Sequence, residues 1–533
     1  MPEDKSTLDQ NPDPTEDFFK IIRLDEPHKW DRLPEQCEIL LQGRKYGLLA
    51  AYFAKFRELL GKRAKSIVAE RGYIDKDFRD VYAGFYSRKF ATYQSKCLRL
   101  HFFSRIIRDQ DLCSLDTYQE DYIGYVVVRP TRKQCIGTMI IDPRRAEGVQ
   151  GSICAAKYYA HILGAELEIE GFPFIAQHKD VTRCAHADCW MVFRYLSQKY
   201  RTYREVYPYQ ITQMTTDYSL GRLVPSSHGL TVSQIAEIFA RFGLSPEIYS
   251  RRSYNNPSEF ERFLLTYISS GLPVICATEK PGEHEDNHAV VALGHVSDHE
   301  RLERRPDDAG VLTSYDYLQG LVINDDNWQP YQLMPTSGKP RLANISEYTT
   351  SDIYAFVVPL YEKMHLTAEQ VEELTKKALA REDLGLEALS PSLAKSEVVI
   401  RVQLASSSSY KAFRSRKAEG ARPPHGIDRL YARLPMPRFI WLAEIASKSS
   451  FSKNKVLGEI IWDTTATPDD VMSFLVIHYP EYLIVNDVDQ LGSMSNRFII
   501  KRELNLHDEI GYDMYSDLVN ASTEGGRRSG SAE

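Results

Sequence analysis

The feature that most constrains this chain is a change of hydrophobic period near residue 184. Between about 122 and 177, short β-branched runs dominate: "YIGYVVVRPT", "CIGTMIIDP", "KYYAHIL" and "AELEIEGFPFIAQ". They predict strands, the first two closed by proline. From 184 onward, apolar residues recur at three- and four-residue steps in "CAHADCWMVFRYLSQKY", "TVSQIAEIFARFGL" and "PSEFERFLLTYISSG". That spacing predicts three helices. Thr231 suits the N-cap of the second, which closes near Gly243. Strand text then returns in "LPVICATE", "HAVVALGHV" and "YLQGLVIND". A helix bundle followed by an antiparallel sheet is an α+β layout.

A chain of 533 residues exceeds one ordinary core. Residues 1–18 read as a disordered tail, and 19–150 as an N-terminal α+β region, largely helical in pattern from about 37 to 110. Residues 151–362 form a central domain. A charged helix, "TAEQVEELTKKALAREDLGLEAL", marks a helical linker over 363–395, and "SPS" breaks it. Residues 396–519 mix strand and helix text and predict a small α/β domain, with a flexible loop expected within "ASSSSYKAFRSRKAEGARPPHG". Residues 520–533 read as a second disordered tail.

Net charge of -7 and a pI near 6.1 give no global reason to expect nucleic-acid binding. The basic stretch "RKYGLLAAYFAKFRELLGKRAK" reads as an amphipathic helix with a solvated face. Eight cysteines without a CxxC pair give no zinc knuckle and no disulfide scaffold. The acidic, polar start is no secretory signal, and no run of about 18 apolar residues predicts a membrane span. A reducing cytoplasm is the expected home, where a thiol can stay reactive.

Chemistry concentrates in three places. Gln177 ends a strand-like stretch, and Cys184 opens a helix seven residues later. A thiol there sits at the positive end of the helix dipole, which favours the nucleophilic thiolate. The Gln177 amide and the Cys184 N–H are placed to face a developing oxyanion. His288 opens the strand "HAVVALG" and suits a general base. Asp325, in "VINDDNWQPY", suits a group that orients the imidazole. Asn324 and Asp326 compete for that role. Cys189 competes for the role of nucleophile, but lies about 140° from Cys184 around the helix. His284, His295 and His299 compete with His288. His186 reads as surface or packing. No standard metal-ligand spacing occurs around His186, Cys189 and His284.

This order of motifs resembles the papain-like cysteine peptidase superfamily, most closely its bacteriocin-processing (double-glycine leader) peptidase branch, over about residues 172–335. The nucleophile motif reads Cys184-Ala185-His186-Ala187 after Gln177, with alanine at the second position. "NHAVVALGHV" is similar to the histidine strand of that branch and "VINDDNWQPY" to its aspartate strand. The resemblance implies a papain-like central domain and a Cys184–His288–Asp325 triad, with Gln177 in the oxyanion hole and an acyl-thioester intermediate. No metal or organic cofactor is implied. The expected substrate is a peptide or protein, with a further protein partner for the N- or C-terminal region. Two other readings fit the same residues: acyl transfer to an amine, as in a transpeptidase or transamidase, and a catalytically silent interaction or regulatory module.

Overall fold

The computed structural model describes residues 18–41, 48–132, 134–216, 229–279, 287–298, 311–336, 345–415, 427–468, 470, 472–480, 482–486, 497–501 and 512–521. Both expected tails lie almost wholly outside these residues, as do His284, His299 and 416–426 of the expected loop. Helices and strands are both plentiful, and the fold is α+β. The chain forms two compact units. The first comprises Met1–Gly148, Ala155–Leu230 and Asp325–Pro330; the second comprises Val149–Cys154, Thr231–Asn324 and Tyr331–Glu533. The stretch 151–362 is thus shared between them.

The first unit is built on a seven-stranded antiparallel sheet. Its order is Phe19–Arg23, Ser66–Tyr73, Cys97–Phe103, Tyr122–Val128, Ile136–Ile141, Ala165–Phe174 and Ala156–Ile162. Two of these strands correct the largely helical reading of 37–110. In "SIVAERGY" the four consecutive residues Ser66–Ala69 are all buried, so that run does not alternate, and "CLRLHFF" is buried throughout, including the alternating Arg99 and His101. A continuous apolar run cannot be told from a buried helix by period alone. The helix Leu49–Leu60 buries Tyr52, Phe53, Phe56 and Leu59 along one stripe, as its spacing demands. The helix Cys184–Lys199 packs on the two last strands of the sheet, with Phe172 and Tyr195 in ring contact at 5.2 Å.

Two further sheets make up most of the second unit. One runs Gln332–Pro335, Leu318–Asn324, His288–Ser297, Val274–Thr278, Ile353–Tyr361 and Leu244–Ser250. The last strand carries Pro246 and lies at the edge, where a missing N–H is tolerated. Gly151–Ile153 pairs with the strand that His288 opens. That pairing needs Gly294, since a Cβ there would lie 2.5 Å from the Ser152 carbonyl oxygen. The other sheet follows the C-terminal text, from Val398–Ser406 through Phe439–Ser447, Gly458–Asp463, Phe474–His478 and Tyr482–Asn486 to Arg497–Lys501. The helix Pro257–Ser269 packs against both sheets, and Tyr267 meets Trp441 at 6.0 Å. Within 363–395 the helix Ala368–Leu379 is docked: Val371, Leu374 and Ala378 are buried, and Trp462 Nε1 donates to Thr375 Oγ1.

Candidate functional site

Cys184 is the first residue of its helix, after an extended Arg183 at the N-cap. It is partly exposed, while Cys189 is fully buried. Burial holds the Cys189 thiol well above the usual range, with Asp188 adding to it. A thiol held in its neutral form and out of reach is inert. No cysteine among the described residues is in a disulfide.

His186 is buried rather than on the surface. Its Nδ1 accepts the Arg183 N–H at 3.4 Å, covering a backbone donor that the helix start leaves over. Burial and the neighbouring Arg183 push its pKa down to about 4, so the ring is neutral. The helix is anchored further along. Trp190 Nε1 and Arg194 both donate to Asp77 Oδ1, at 2.9 and 2.6 Å, and Arg194 also pairs with Glu205. Asp77 lies in the first turn of the helix Lys76–Gly84 and takes a third bond from Thr138 Oγ1. Asp77, Thr138, Trp190 and Arg194 of this network are buried, and together they fix the orientation of the Cys184 helix within its unit.

The segment 177–183 closes on itself before that helix. The His178 N–H donates to Thr182 Oγ1 at 2.9 Å, and the Lys179 N–H donates to the Thr182 carbonyl at 3.2 Å. Lys179 carries a positive φ of 56° at the tight point of the loop. Gln177 is buried, and its Nε2 donates to Asn327 Oδ1 at 2.6 Å. An amide nitrogen carries two N–H donors, so a second remains for another acceptor. The Asn327 N–H in turn donates to Asp325 Oδ1 at 3.0 Å. The first unit therefore links Gln177 to Asp325 through one intervening side chain, and ties Gln177 to the start of the Cys184 helix.

Asp325 and Asp326 are both buried. Asp325 also accepts the Trp328 N–H at its carbonyl. Lys55 Nζ sits 3.6 Å over the Trp328 ring, and burial lowers the Lys55 pKa while Asp325 opposes that shift. Asn324 belongs to the second unit. Its Oδ1 accepts the Tyr331 N–H at 3.0 Å, and this closes the hairpin of Leu318–Asn324 with Gln332–Pro335. Its amide oxygen serves the backbone there.

His288 also belongs to the second unit. It is half-buried, pairs in register with Thr278, and accepts the Thr278 hydroxyl at its carbonyl. Its ring stacks beside Tyr348 at 5.9 Å. His295 is bonded through Nδ1 to Ser297 Oγ at 3.0 Å. A bulge between Ala292 and Gly294 interrupts the register of this strand, so simple alternation does not carry from His288 to His295.

Sequence reasoning did not find Asn327 or Arg129. Asn327 had only the polar cluster "NDDNW" as a signal. Arg129 had only its place directly after the β-branched run "YVVV" as a signal, and a charge there is ordinarily exposed. No family model matches this sequence, and no curated protein matches it either. Among the described residues no helix is long and apolar enough to cross a membrane.

Proposed function

We propose that this protein is a cysteine-dependent amide hydrolase, a peptidase, acting through Cys184, His288 and Asp325. The observation that carries the reading is the setting of Cys184. It is a partly exposed thiol at the first position of a well-anchored helix, and Gln177, seven residues earlier, is hydrogen-bonded into the loop of Asp325. In this chemistry the Cys184 thiolate attacks a carbonyl carbon, and the carbonyl electrons move to oxygen. Gln177 and the Cys184 N–H stabilise that oxyanion. The C–N bond breaks, His288 protonates the departing amine, and a thioester remains. His288 then takes a proton from water, which attacks the thioester and restores the thiol. Asp325 holds the imidazole in one tautomer. The buried Cys189 supports the choice of Cys184 as nucleophile.

The test is iodoacetamide alkylation across pH, with the modified cysteine located by mass spectrometry. The reading expects rapid modification of Cys184 near pH 6, against slow modification of the other cysteines. Equal, slow labelling of Cys184 and Cys189 would end it.

A further inference from the structure

Arg129 follows the strand Tyr122–Val128 and is almost completely buried. Its Nη1 donates to His178 Nε2 at 2.6 Å, and its Nη2 donates to the Ala176 carbonyl at 2.9 Å and to the Gln134 carbonyl at 3.2 Å. No carboxylate pairs with it among the described residues. The guanidinium therefore grips residues 176 and 178, the two neighbours of Gln177. A guanidinium only donates, so His178 Nε2 must be the acceptor and its ring proton must sit on Nδ1. Burial and the adjacent cation keep this ring neutral. Phe78 stacks on it, with the ring planes within 7°. The loop is thus held from the Arg129 side through its side chain and carbonyl, and from the helix side through Thr182.

A buried cation with no carboxylate hydrogen-bonded to it is a costly device for holding a loop, because an apolar side chain would fill the same space without the desolvation. It brings two things an apolar residue lacks. It fixes a planar, two-pronged hold on both sides of one residue. It also sets a full positive charge beside the segment that would face a developing negative one.

We propose that Arg129 is the positioning residue for the oxyanion-stabilising Gln177. This rests on the hydrolase reading above. Arg129 does not touch substrate; it acts through the backbone at 176 and the imidazole at 178.

The test compares two reagents on the full chain. Iodoacetamide alkylates a thiolate by displacing iodide and forms no oxyanion. p-Nitrophenyl acetate acylates it through a tetrahedral oxyanion, releasing p-nitrophenolate as the C–O bond breaks and leaving an acetyl thioester. In Arg129→Lys the acylation burst should slow by about 10- to 100-fold, the scale for a displaced oxyanion donor. Alkylation of Cys184 should stay within about twofold. Gln177→Ala should show the same split, and the double variant should lose little more than either single one. A parallel fall of acylation and alkylation in Arg129→Lys, or additive losses in the double variant, would overturn the role of Arg129. Should Arg129→Lys lack a cooperative unfolding transition, His178→Gln carries the same expectations and the same contrary results. If the unaltered protein alkylates at Cys184 but shows no burst, the hydrolase reading fails and Arg129 falls with it.

Discussion

Two regions of this molecule bury charge, and they do so differently. In the C-terminal sheet Arg401, Glu444, Glu459 and His478 are register partners on four neighbouring strands. Arg401 pairs with Glu444 at 3.0 Å, Arg414 pairs with Glu459, and Tyr431 donates to Glu459 at 2.5 Å. The Tyr515 N–H donates to Glu444 at 2.8 Å. Burial pushes the Glu459 carboxyl up, but Arg414 and His478 outweigh it and hold it far below the usual range. Each carboxylate there meets a cation, and the row is closed. In the first unit Asp77 and Arg194 form a comparable pair. Arg129, packed against Gln134 and the distant 176–178 segment, has backbone and imidazole acceptors instead of a carboxylate among the described residues. A balanced row is a scaffold. A buried cation hydrogen-bonded to neutral acceptors, beside a loop that leads to a partly exposed thiol, is the arrangement on which the proposed site rests.

The largest expected effects break this comparison open. Arg194→Ala strands Asp77, and Arg414→Ala strands Glu459; each should cost about 3–5 kcal/mol in denaturant unfolding. The two should part on a second readout. Arg194→Ala should change the rate of Cys184 alkylation, because Arg194 anchors that helix, whereas Arg414→Ala should leave it alone. Equal effects on alkylation would mean that the first network is no more than scaffold.

The next effect is in pH. His186 is neutral in the folded chain down to about pH 4, while an unfolded histidine takes up its proton near pH 6.5. Below about 6.5 the unfolded state thus binds more protons at this residue, and stability falls until about pH 4. Asp75 works in the opposite direction, since burial and Asp77 raise its pKa to about 7. Comparing the protein with His186→Gln cancels that contribution. The stability advantage of the unaltered protein should shrink by on the order of 3 kcal/mol between pH 6.5 and 4. A constant difference would show that His186 is not held neutral.

Much of this was legible in the sequence. Thr231 caps its helix through the Gln234 N–H, and Gly243 takes a φ of 84° just past the end, because cap and stop chemistry is local. The helix opening at Cys184 and the strand opening at His288 were likewise readable from period. What escaped was set by tertiary contact. The first half of Ser66–Tyr73 is buried at consecutive positions, and in Cys97–Phe103 the alternating polar residues Arg99 and His101 are buried as well, which only the tertiary packing decides. Asn327 and Arg129 gain their meaning only from residues far away in sequence, as with the bond between Gln177 and Asn327. His186 reads as surface or packing; its burial bears out the packing alternative, while its role in capping a backbone donor three residues back was not readable.

Two smaller effects sharpen the picture. Cys189→Ala should cost roughly 1 kcal/mol for a small buried volume and leave Cys184 alkylation unchanged. Lys55→Ala removes a cation held 3.6 Å over Trp328. It should cost about 0.5–1 kcal/mol and shift the tryptophan emission measurably.

The central claim is that Cys184 and His288 work as a nucleophile and its base. The pH profile of Cys184 alkylation in His288→Ala, set beside that of the unaltered protein, tests it most directly. The account predicts that alkylation begins near pH 6 in the unaltered protein and moves up toward the ordinary thiol range, near about 8.5, in the variant. Superimposable profiles would contradict it.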